Sequence, residues 1–458
     1  MPATARPRRI DHVVIIGAGF SGALQAINLI RHDGPRTTLI ERRSETGRGV
    51  AYSAAHPSHL LNVRAANMSA LPEDPGHFVR WLAENRPEQP GGFVPRITYG
   101  DYLADLLADV RARAAGRLVV RHNAAVDVRF AGGRAEVSLD DGTTIDSDAV
   151  VLALGNLPPH EVAGIGALRD DPDRYVADPW SGDIANGLSD DDTVLLIGSG
   201  LTMVDAALLL EARGFGGKII AMSRRGLLPH AHVEGALVVP TLGERPTTSP
   251  AGLLRFVRAQ AAAAGWRAAV DALRPFTQDL WLAADVEQQA RFLRHLRPWW
   301  DIHRHRLAPA VADRINTMRA RGALDIVAGK LRGFEQTGRG VAVTWRPRGK
   351  DVLEQLSVRR IVNCSGPQGN LDRTAEPLLR RLLERGLIRP GAQGLGMDVN
   401  QQAETIGVDG RANPGLLALG PMTRGAFWEI VAVPDIRVQT WSVARRLSNA
   451  HWVEGEGL

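Results

Sequence analysis

Short apolar runs recur along this chain and alternate with stretches whose apolar residues have helical spacing. His12–Ile16 is mostly apolar and runs into glycines, residues 21–31 have helical spacing, and residues 37–41 form the next apolar run. Similar runs return at residues 149–154, 194–197, 218–222, 360–363 and 416–419. Strands that alternate with helices build parallel sheets covered by helices on both faces. The pattern therefore predicts an α/β fold with Rossmann-like three-layer domains.

Two regions depart from this alternation. Residues from about 118 to 145 form short apolar runs separated by Gly132-Gly133 and Asp141-Gly142, which predicts a small antiparallel meander. Residues from about 251 to 321 carry no strand signal and are rich in Ala, Arg, Leu and Trp at helical spacing. We expect a helical insert there.

Composition limits the classes of function. A chain of 458 residues exceeds what one hydrophobic core usually serves, so two domains are expected. A net charge of +5 does not favour nucleic acid as a partner. Because Cys364 is the single cysteine, an intrachain disulfide and a CxxC redox pair are both excluded. The single cysteine makes the cytoplasm the expected location, and no targeting segment or membrane span is recognised.

The first glycine turn has the sequence of a dinucleotide site. Gly17, Gly19 and Gly22 follow a strand and open a helix, with Phe20 and Ser21 between them. Such glycines permit a tight turn, close approach of a pyrophosphate and close helix packing. An acidic residue is expected roughly 20 positions later for a ribose hydroxyl. Glu41, followed by Arg42, ends the next strand and takes that place.

A second turn begins 181 residues after the first, at Gly198, Ser199 and Gly200. Leu201 and Thr202 follow, and Met203 replaces the third glycine, so we expect the helix to sit further from its strand. The next strand ends in Ser223, Arg224 and Arg225 rather than in a carboxylate. Arginine at this place favours the 2′-phosphate of NADPH. A solvated arginine pair is the alternative, and it applies more to Arg225 than to Arg224.

The order of these motifs resembles that of class B flavin monooxygenases, which include the ornithine and lysine N-hydroxylases. It is more similar to a bacterial family of FAD/NAD(P)-binding oxidoreductases whose chemistry is poorly specified. Gly155 ends a strand between the two turns, and four further segments carry the similarity, at residues 47–52, 59–69, 297–309 and 425–437. The resemblance implies FAD at the first turn and NADPH at the second. It implies an FAD domain at residues 1–160 and 356–458, with an NAD(P) domain at 161–355.

The same resemblance implies further flavin contacts. Gly420 and Pro421 follow a strand expected beside the flavin, and a helix N-terminus near Asp435 could stabilise negative charge on the reduced flavin. Arg48 and Asn62 are placed along the FAD. A local turn contact is the alternative for both, more so for Arg48.

Residues 297–306 are the densest unusual segment, with His303 and His305 alternating with Arg304 and Arg306. No carboxylate or cysteine companions have ligand spacing, so no metal is expected. A cationic pocket for an acidic substrate or for cofactor phosphates is one interpretation. Anchoring of the insert through salt bridges and aromatic packing is the other.

Two residues are candidates for catalysis, His303 and Glu429. Glu429 follows Phe427-Trp428 and is a candidate acid or base, with a buried structural carboxylate as the alternative. Cys364 follows an apolar strand and is interpreted as a core residue.

The leading hypothesis is an NADPH-dependent flavin monooxygenase that oxygenates a small organic substrate through a flavin hydroperoxide, with molecular oxygen as co-substrate. One alternative is an FAD-dependent reductase or dehydrogenase without oxygen chemistry. Another is a non-catalytic, nucleotide-binding redox sensor. The sequence specifies neither the substrate nor the oligomeric state.

Overall fold

The structure is a computed structural model that describes residues 9–53, 56–89, 91–233, 238–243 and 245–448. The chain forms two compact units. The first unit comprises Met1–Ser53, Arg64–Asn156 and Gly369–Leu458. The second unit comprises Ala54–Val63 and Leu157–Gln368.

The strands of the described residues form three sheets. In chain order they are β1 (His12–Ile16), β2 (Arg36–Ile40), β3 (Leu118–Arg121), β4 (Ala125–Ala131), β5 (Arg134–Leu139), β6 (Thr144–Ser147), β7 (Ala149–Leu152), β8 (Tyr175–Val176), β9 (Thr193–Ile197), β10 (Lys218–Ser223), β11 (Leu324–Gln336), β12 (Val341–Pro347), β13 (Glu354–Val358), β14 (Arg360–Asn363), β15 (Glu404–Ile406) and β16 (Ala412–Ala418).

The α-helices of the described residues are α1 (Phe20–Arg31), α2 (Gly49–Ser53), α3 (His77–Asn85), α4 (Arg96–Arg113), α5 (Leu201–Ala212), α6 (Pro250–Ala264), α7 (Trp266–Leu273), α8 (Thr277–Ala283), α9 (Val286–Arg291), α10 (Arg297–Arg304), α11 (Pro309–Ala320), α12 (Pro377–Glu384) and α13 (Val433–Leu447). Short 3₁₀ turns lie at Ala65–Asn67, Gly166–Asp170, Arg274–Phe276, Leu371–Arg373 and Gly420–Thr423, and a π-helical turn lies at Phe292–Leu296.

The first unit is built on a six-stranded sheet in the order β15-β16-β7-β1-β2-β3. Strands β16, β7, β1, β2 and β3 are parallel, and β15 is an antiparallel edge. All five residues of β1 are buried, because helices cover the sheet and β-branched side chains pack well on a pleated surface. A separate antiparallel sheet, β4-β5-β6, belongs to the same unit.

The second unit contains a seven-stranded sheet in the order β13-β12-β11-β10-β9-β14-β8. Its parallel part repeats the arrangement of the first unit, because β9 lies between β10 and β14 as β1 lies between β2 and β7. Strand β11 then continues into an antiparallel meander with β12 and β13. The helical insert spans α6 to α11 and carries no strand.

The α/β fold class is confirmed, and three boundaries are corrected. Leu118–Arg121 is not part of the antiparallel meander, because it pairs in parallel with β2 after a helical crossover. Arg360–Asn363 pairs with β9 and lies in the second unit, so the first unit resumes at Gly369 rather than at residue 356. Residues 54–63 also belong to the second unit. The meander of β11 to β13 was not predicted.

Candidate functional site

The first glycine turn joins β1 to α1. Gly17 has a φ of +100°, which residues with side chains rarely adopt. Its amide donates to the carbonyl oxygen of Ile40 at 2.8 Å, and a Cβ on Gly17 would lie 2.5 Å from the carbonyl oxygen of Ala153. A Cβ on Gly22 would overlap the carbonyl oxygen of Gly17. Packing within the unit therefore requires glycine at positions 17 and 22.

Gly19 is the residue from which α1 begins, and no side chain of the described residues caps this helix. The amides of Phe20, Ser21 and Gly22 lie in the first turn of the helix, where no intrahelical acceptor exists. The positive end of the helix dipole adds to them. This arrangement suits a pyrophosphate.

Glu41 holds the turn from the end of β2. Its Oε2 accepts a hydrogen bond from the amide of Ala18 at 2.8 Å, and its Oε1 accepts one from the amide of Arg43 at 3.1 Å. A carboxylate has about four acceptor positions, so these two bonds leave capacity for a ribose hydroxyl. Glu41 therefore fits both roles, as turn clamp and as ligand.

Arg42, Arg48 and Gly155 have different surroundings. Arg42 pairs with Glu376 at 3.0 Å, and Arg48 pairs with Asp101 at 2.8 Å. A Cβ on Gly155 would meet no atom within 4 Å, so the space beside this glycine is open. Both arginines thus have carboxylate partners distant in sequence, and for Arg48 this is not the local turn contact that the sequence left open.

Gly420 brings the end of β16 against α1. Its amide donates to Oε1 of Gln439 at 2.8 Å, and a Cβ there would overlap the hydroxyl oxygen of Ser21. Pro421 is the second residue of the 3₁₀ turn that follows. Glycine is needed at 420 because the backbone passes directly over the start of the first nucleotide helix.

The helix expected to begin near Asp435 begins two residues earlier, at Val433. Asp435 lies in its first turn. A carboxylate at that place stabilises the helix but offsets its positive dipole end. The helix N-terminus is therefore less suited to stabilise a second negative charge than the sequence suggested.

The second glycine turn joins β9 to α5 in the same way. Gly198 has a φ of +123°, and its amide donates to the carbonyl oxygen of Met222 at 2.8 Å. A Cβ on Gly198 would overlap the carbonyl oxygen of Cys364, which stands where Ala153 stands in the first unit. A Cβ on Gly200 would meet no atom within 4 Å, so the approach to this turn is open.

Helix α5 opens with Leu201 and Thr202, and no side chain of the described residues caps it. Met203 is fully buried at the position of the third glycine. At the corresponding position α1 has Gly22, which contacts the backbone of its turn directly.

Ser223 closes the loop after β10. Its Oγ accepts from the hydroxyl of Ser199 at 2.8 Å and from the amide of Gly226 at 2.9 Å. Both bonds are internal to the turn. Ser223 therefore shapes the site, whichever ligand contact it makes in addition.

The two arginines after Ser223 differ in their surroundings. Arg225 contacts Trp299 with its guanidinium 5.9 Å from the ring centroid and donates to the carbonyl oxygen of Arg294 at 3.4 Å. Arg224 is exposed and has no hydrogen bond or ion pair from its side chain to the described residues. Arg224 is the cation that remains available to a ligand.

Asn62 belongs to the second unit, where its carbonyl oxygen accepts a hydrogen bond from Nε2 of His232 at 3.0 Å. In the same segment the buried His59 donates from Nε2 to the carbonyl oxygen of Asp205 at 3.0 Å. Asp205 lies on α5, so this segment packs against the helix of the second glycine turn.

Glu429 is buried and has a φ of +69°. A residue with a side chain pays about 1–2 kcal/mol for this conformation. The amide of Val431 donates to its carbonyl oxygen at 2.6 Å, which holds the turn. Such strained conformations are concentrated at functional sites.

His303 lies near the end of α10, and His305 and Arg306 follow the helix. Arg306 is buried and pairs with Asp271 through two hydrogen bonds of 2.8 and 3.0 Å. Arg306 therefore anchors the insert, as one of the two interpretations of this segment predicts.

A group of aromatic side chains beside the first turn was missed. It consists of Phe20, Tyr52, Phe78, Tyr99 and Tyr102, with neighbouring centroids 4.8 to 6.2 Å apart. Burial raises the pKa of the Tyr52 and Tyr102 hydroxyls to about 12. The Tyr99 hydroxyl is buried without a hydrogen-bond partner among the described residues. The signal was present, since three of the chain's four tyrosines lie here.

Over the described residues, no group of three or more His, Cys, Asp or Glu side chains could hold a metal ion. No helix in the same ranges is long and apolar enough to cross a membrane.

Comparisons with known proteins agree with this geometry. Residues 14–157 match the family described as FAD-NAD(P)-binding. Among proteins with curated descriptions, none matches the sequence.

Three solved structures show the breadth of the fold. The cadaverine monooxygenase of Erwinia amylovora, bound to FAD, is 10% identical, with 96% of this chain and 95% of that chain covered and a TM-score of 0.68. The ornithine N-hydroxylase of Kutzneria sp. 744, with reduced FAD, NADP⁺ and L-ornithine, is 14% identical. The match covers 96% of this chain and 99% of that chain, with a TM-score of 0.59. The thioredoxin reductase of T. acidophilum is 13% identical, and the match covers 96% of this chain and 98% of that chain with a TM-score of 0.52. The chain thus has the fold of these two-domain flavoproteins, as the resemblance implied.

Proposed function

We propose that this chain, which carries an FAD-NAD(P)-binding domain within a two-domain flavoprotein fold, is an NADPH-dependent flavin monooxygenase acting on a small organic substrate. The observation that carries the proposal is the repeated turn. Gly17 and Gly198 have the same φ region, the same amide bond to the next strand and the same crossing by a third strand. Two such turns suit one flavin and one nicotinamide nucleotide.

FAD fits the first turn. The uncapped start of α1 would hold the pyrophosphate, and Glu41 would accept from a ribose hydroxyl. The close approach of Gly420 to Ser21 supports this assignment, because it brings the end of β16 against the start of α1. Bound FAD would supply the redox chemistry, accepting hydride from NADPH and reacting with oxygen.

NADPH is assigned to the second turn because of Arg224. A 2′-phosphate is recognised by paired, charge-assisted hydrogen bonds from a guanidinium. Arg224 is exposed at the end of β10 and has no competing partner among the described residues, whereas Arg225 contacts the insert. Gly200 leaves room for the pyrophosphate.

Oxygen chemistry is favoured over electron transfer to a thiol acceptor because the chain has one cysteine. Cys364 is buried, and burial raises the pKa of its thiol far above the ordinary range, so it is not a thiolate. A reductase with an organic acceptor shares the fold and is the second candidate, supported by the similarity to a thioredoxin reductase.

The test is a product and stoichiometry measurement on the purified holoprotein. With ¹⁸O₂ and NADPH, a panel of small amines, sulfides and carboxylic acids is expected to yield one product enlarged by one labelled oxygen. Turnover at undiminished rate without oxygen, using an organic acceptor, would support the reductase instead. Bound FAD that NADPH does not reduce would support a redox sensor.

A further inference from the structure

Three aromatic rings meet in the second unit beside the helical insert. His230 precedes the insert, Trp266 opens α7, and His303 lies on α10. The ring centroids are 4.8 Å apart for His230 and Trp266, and 4.7 Å apart for each of the other two pairs. All three rings are half-buried, so solvent reaches them.

Two arginines flank these rings. The guanidinium of Arg306 lies 5.2 Å from the Trp266 centroid, and its charge is matched by the two bonds to Asp271. The guanidinium of Arg267 lies 4.3 Å from the same ring and donates only to the carbonyl oxygen of Ala231. Arg267 therefore contributes one positive charge that no carboxylate of the described residues balances.

The rings also carry polar atoms without protein partners. Nδ1 of His303 donates to the carbonyl oxygen of Trp299 at 2.7 Å, which leaves its Nε2 facing no partner among the described residues. Neither ring nitrogen of His230 and no indole N–H of Trp266 has a hydrogen bond to those residues. The Arg306–Asp271 pair is a packing contact, whereas these half-exposed polar atoms lie beside an unbalanced cation where a ligand from solvent can reach them.

We propose that His230, Arg267 and His303 form a binding site for a small organic carboxylate, which is the acid group of the substrate. One unbalanced guanidinium matches a monoanion better than a doubly charged phosphate. Binding of a carboxylate at these residues does not depend on the proposed function. The identification of that carboxylate as part of the substrate rests on it.

Binding of a carboxylate depends on pH through His230. The titratable and charged groups facing His230 are His303, Arg267 and Arg306, with Asp271 behind Arg306. Burial, followed by these positive neighbours, lowers the pKa of His230, and a bound anion would offset their repulsion.

The experiment is calorimetric titration of the oxidised holoprotein, without NADPH, with benzoate, acetate, inorganic phosphate and the uncharged benzamide. Two cationic buffers of different ionisation enthalpy report proton uptake. We expect saturable carboxylate binding with proton uptake, because the bound anion raises the lowered pKa of His230, and affinity that falls as pH rises through that titration. Arg267→Gln and His303→Gln should each weaken binding by about tenfold or more. Arg267→Lys should retain part of it.

Arg258→Gln and His295→Gln are matched controls, since both side chains are exposed on the same insert, and should bind as the unchanged protein does. Far-UV circular dichroism and FAD content establish folding of every variant. Absence of saturable carboxylate binding, equal weakening by the controls, or preference for phosphate over benzoate would each overturn the site. Labelled-oxygen incorporation is a separate readout, so carboxylate binding without oxygenation would contradict the proposed function and leave the site intact.

Discussion

The two glycine turns have the same backbone conformation and differ in the residues that surround it. In each, a glycine of positive φ donates its amide to the strand that follows and passes under the carbonyl oxygen of a third strand. In the first unit Gly22 lets α1 touch that turn directly. In the second unit Met203 takes its place and is fully buried. Each turn is thus fixed by one hydrogen bond and one close backbone neighbour, and we expect the side chain at the third position to set the distance of the helix.

The strand ends differ in charge as well. Glu41 clamps the first turn through the amide of Ala18. In the second unit a pair of hydroxyls, Ser199 and Ser223, closes the loop, and Arg224 extends beyond it. The acidic end suits a ribose hydroxyl and the basic end suits a phosphate. The same turn conformation therefore suits two different nucleotides, and the residue at the end of the following strand determines which one.

Gly22→Ala should reveal the difference in packing between the two glycine turns most strongly. The new Cβ would overlap the carbonyl oxygen of Gly17, so the helix must move away from the strand. We expect loss of most bound FAD and a fall in unfolding free energy of roughly 3 kcal/mol or more, at the upper end of overpacking. Flavin absorbance per protein and urea unfolding measure both.

Gly200→Ala is the comparison in the second turn, at the position that corresponds to Gly19. Its Cβ meets open space, so we expect normal FAD content and nearly unchanged stability, with a raised KM for NADPH. Similar loss of FAD in both variants would mean that the turns are not distinguished by packing.

Met203→Ala should cost about 2–5 kcal/mol of unfolding free energy, because it leaves a cavity where the first unit has backbone contact. Urea unfolding followed by tryptophan fluorescence provides the measurement. An unchanged midpoint would mean that α5 closes onto its strand as α1 does, and the volume argument would fail.

Arg224→Ala should lower kcat/KM for NADPH by roughly tenfold to a hundredfold and leave that for NADH nearly unchanged. Arg225→Ala is the comparison, and it should change the ratio less because Arg225 already contacts Trp299 and Arg294. An unchanged ratio in the Arg224 variant would remove the NADPH assignment.

Lowering the pH should destabilise the first unit before the second. Burial is the largest cause that lowers the pKa of His12, His32 and His77, all in the first unit, below the ordinary value of 6.5. The unfolded chain then binds protons more readily than the folded one, so stability falls as pH drops below about 6.5. His230 is subject to the same effect in the second unit, where β9 begins with threonine instead of a buried histidine.

Amide hydrogen exchange checks this point. Between pH 7.5 and 5.5, after correction for intrinsic rates, β1 should lose more protection than β9. Equal loss in the two strands would contradict the location of the effect.

The sequence predicts the alternating fold and both turns because apolar runs and glycine spacing are local signals. It does not predict that Leu118–Arg121 joins the parallel sheet or that Arg360–Asn363 serves the second unit, since strand order depends on tertiary pairing. The sequence favours Arg225 over Arg224 as the solvated arginine, whereas in the structure Arg224 is exposed and Arg225 contacts Trp299. The group of His230, Trp266 and His303 joins residues far apart in the chain, so periodicity could not reveal it.

Stopped-flow spectroscopy of the holoprotein tests the central claim most directly. Anaerobic NADPH should reduce the flavin fully and faster than NADH at equal concentration. Mixing with oxygen should then produce a transient absorbance distinct from both oxidised and reduced flavin, and its decay should quicken with substrate. Reduction by neither nucleotide, or reoxidation with immediate stoichiometric peroxide release for every substrate, would contradict an NADPH-dependent flavin monooxygenase.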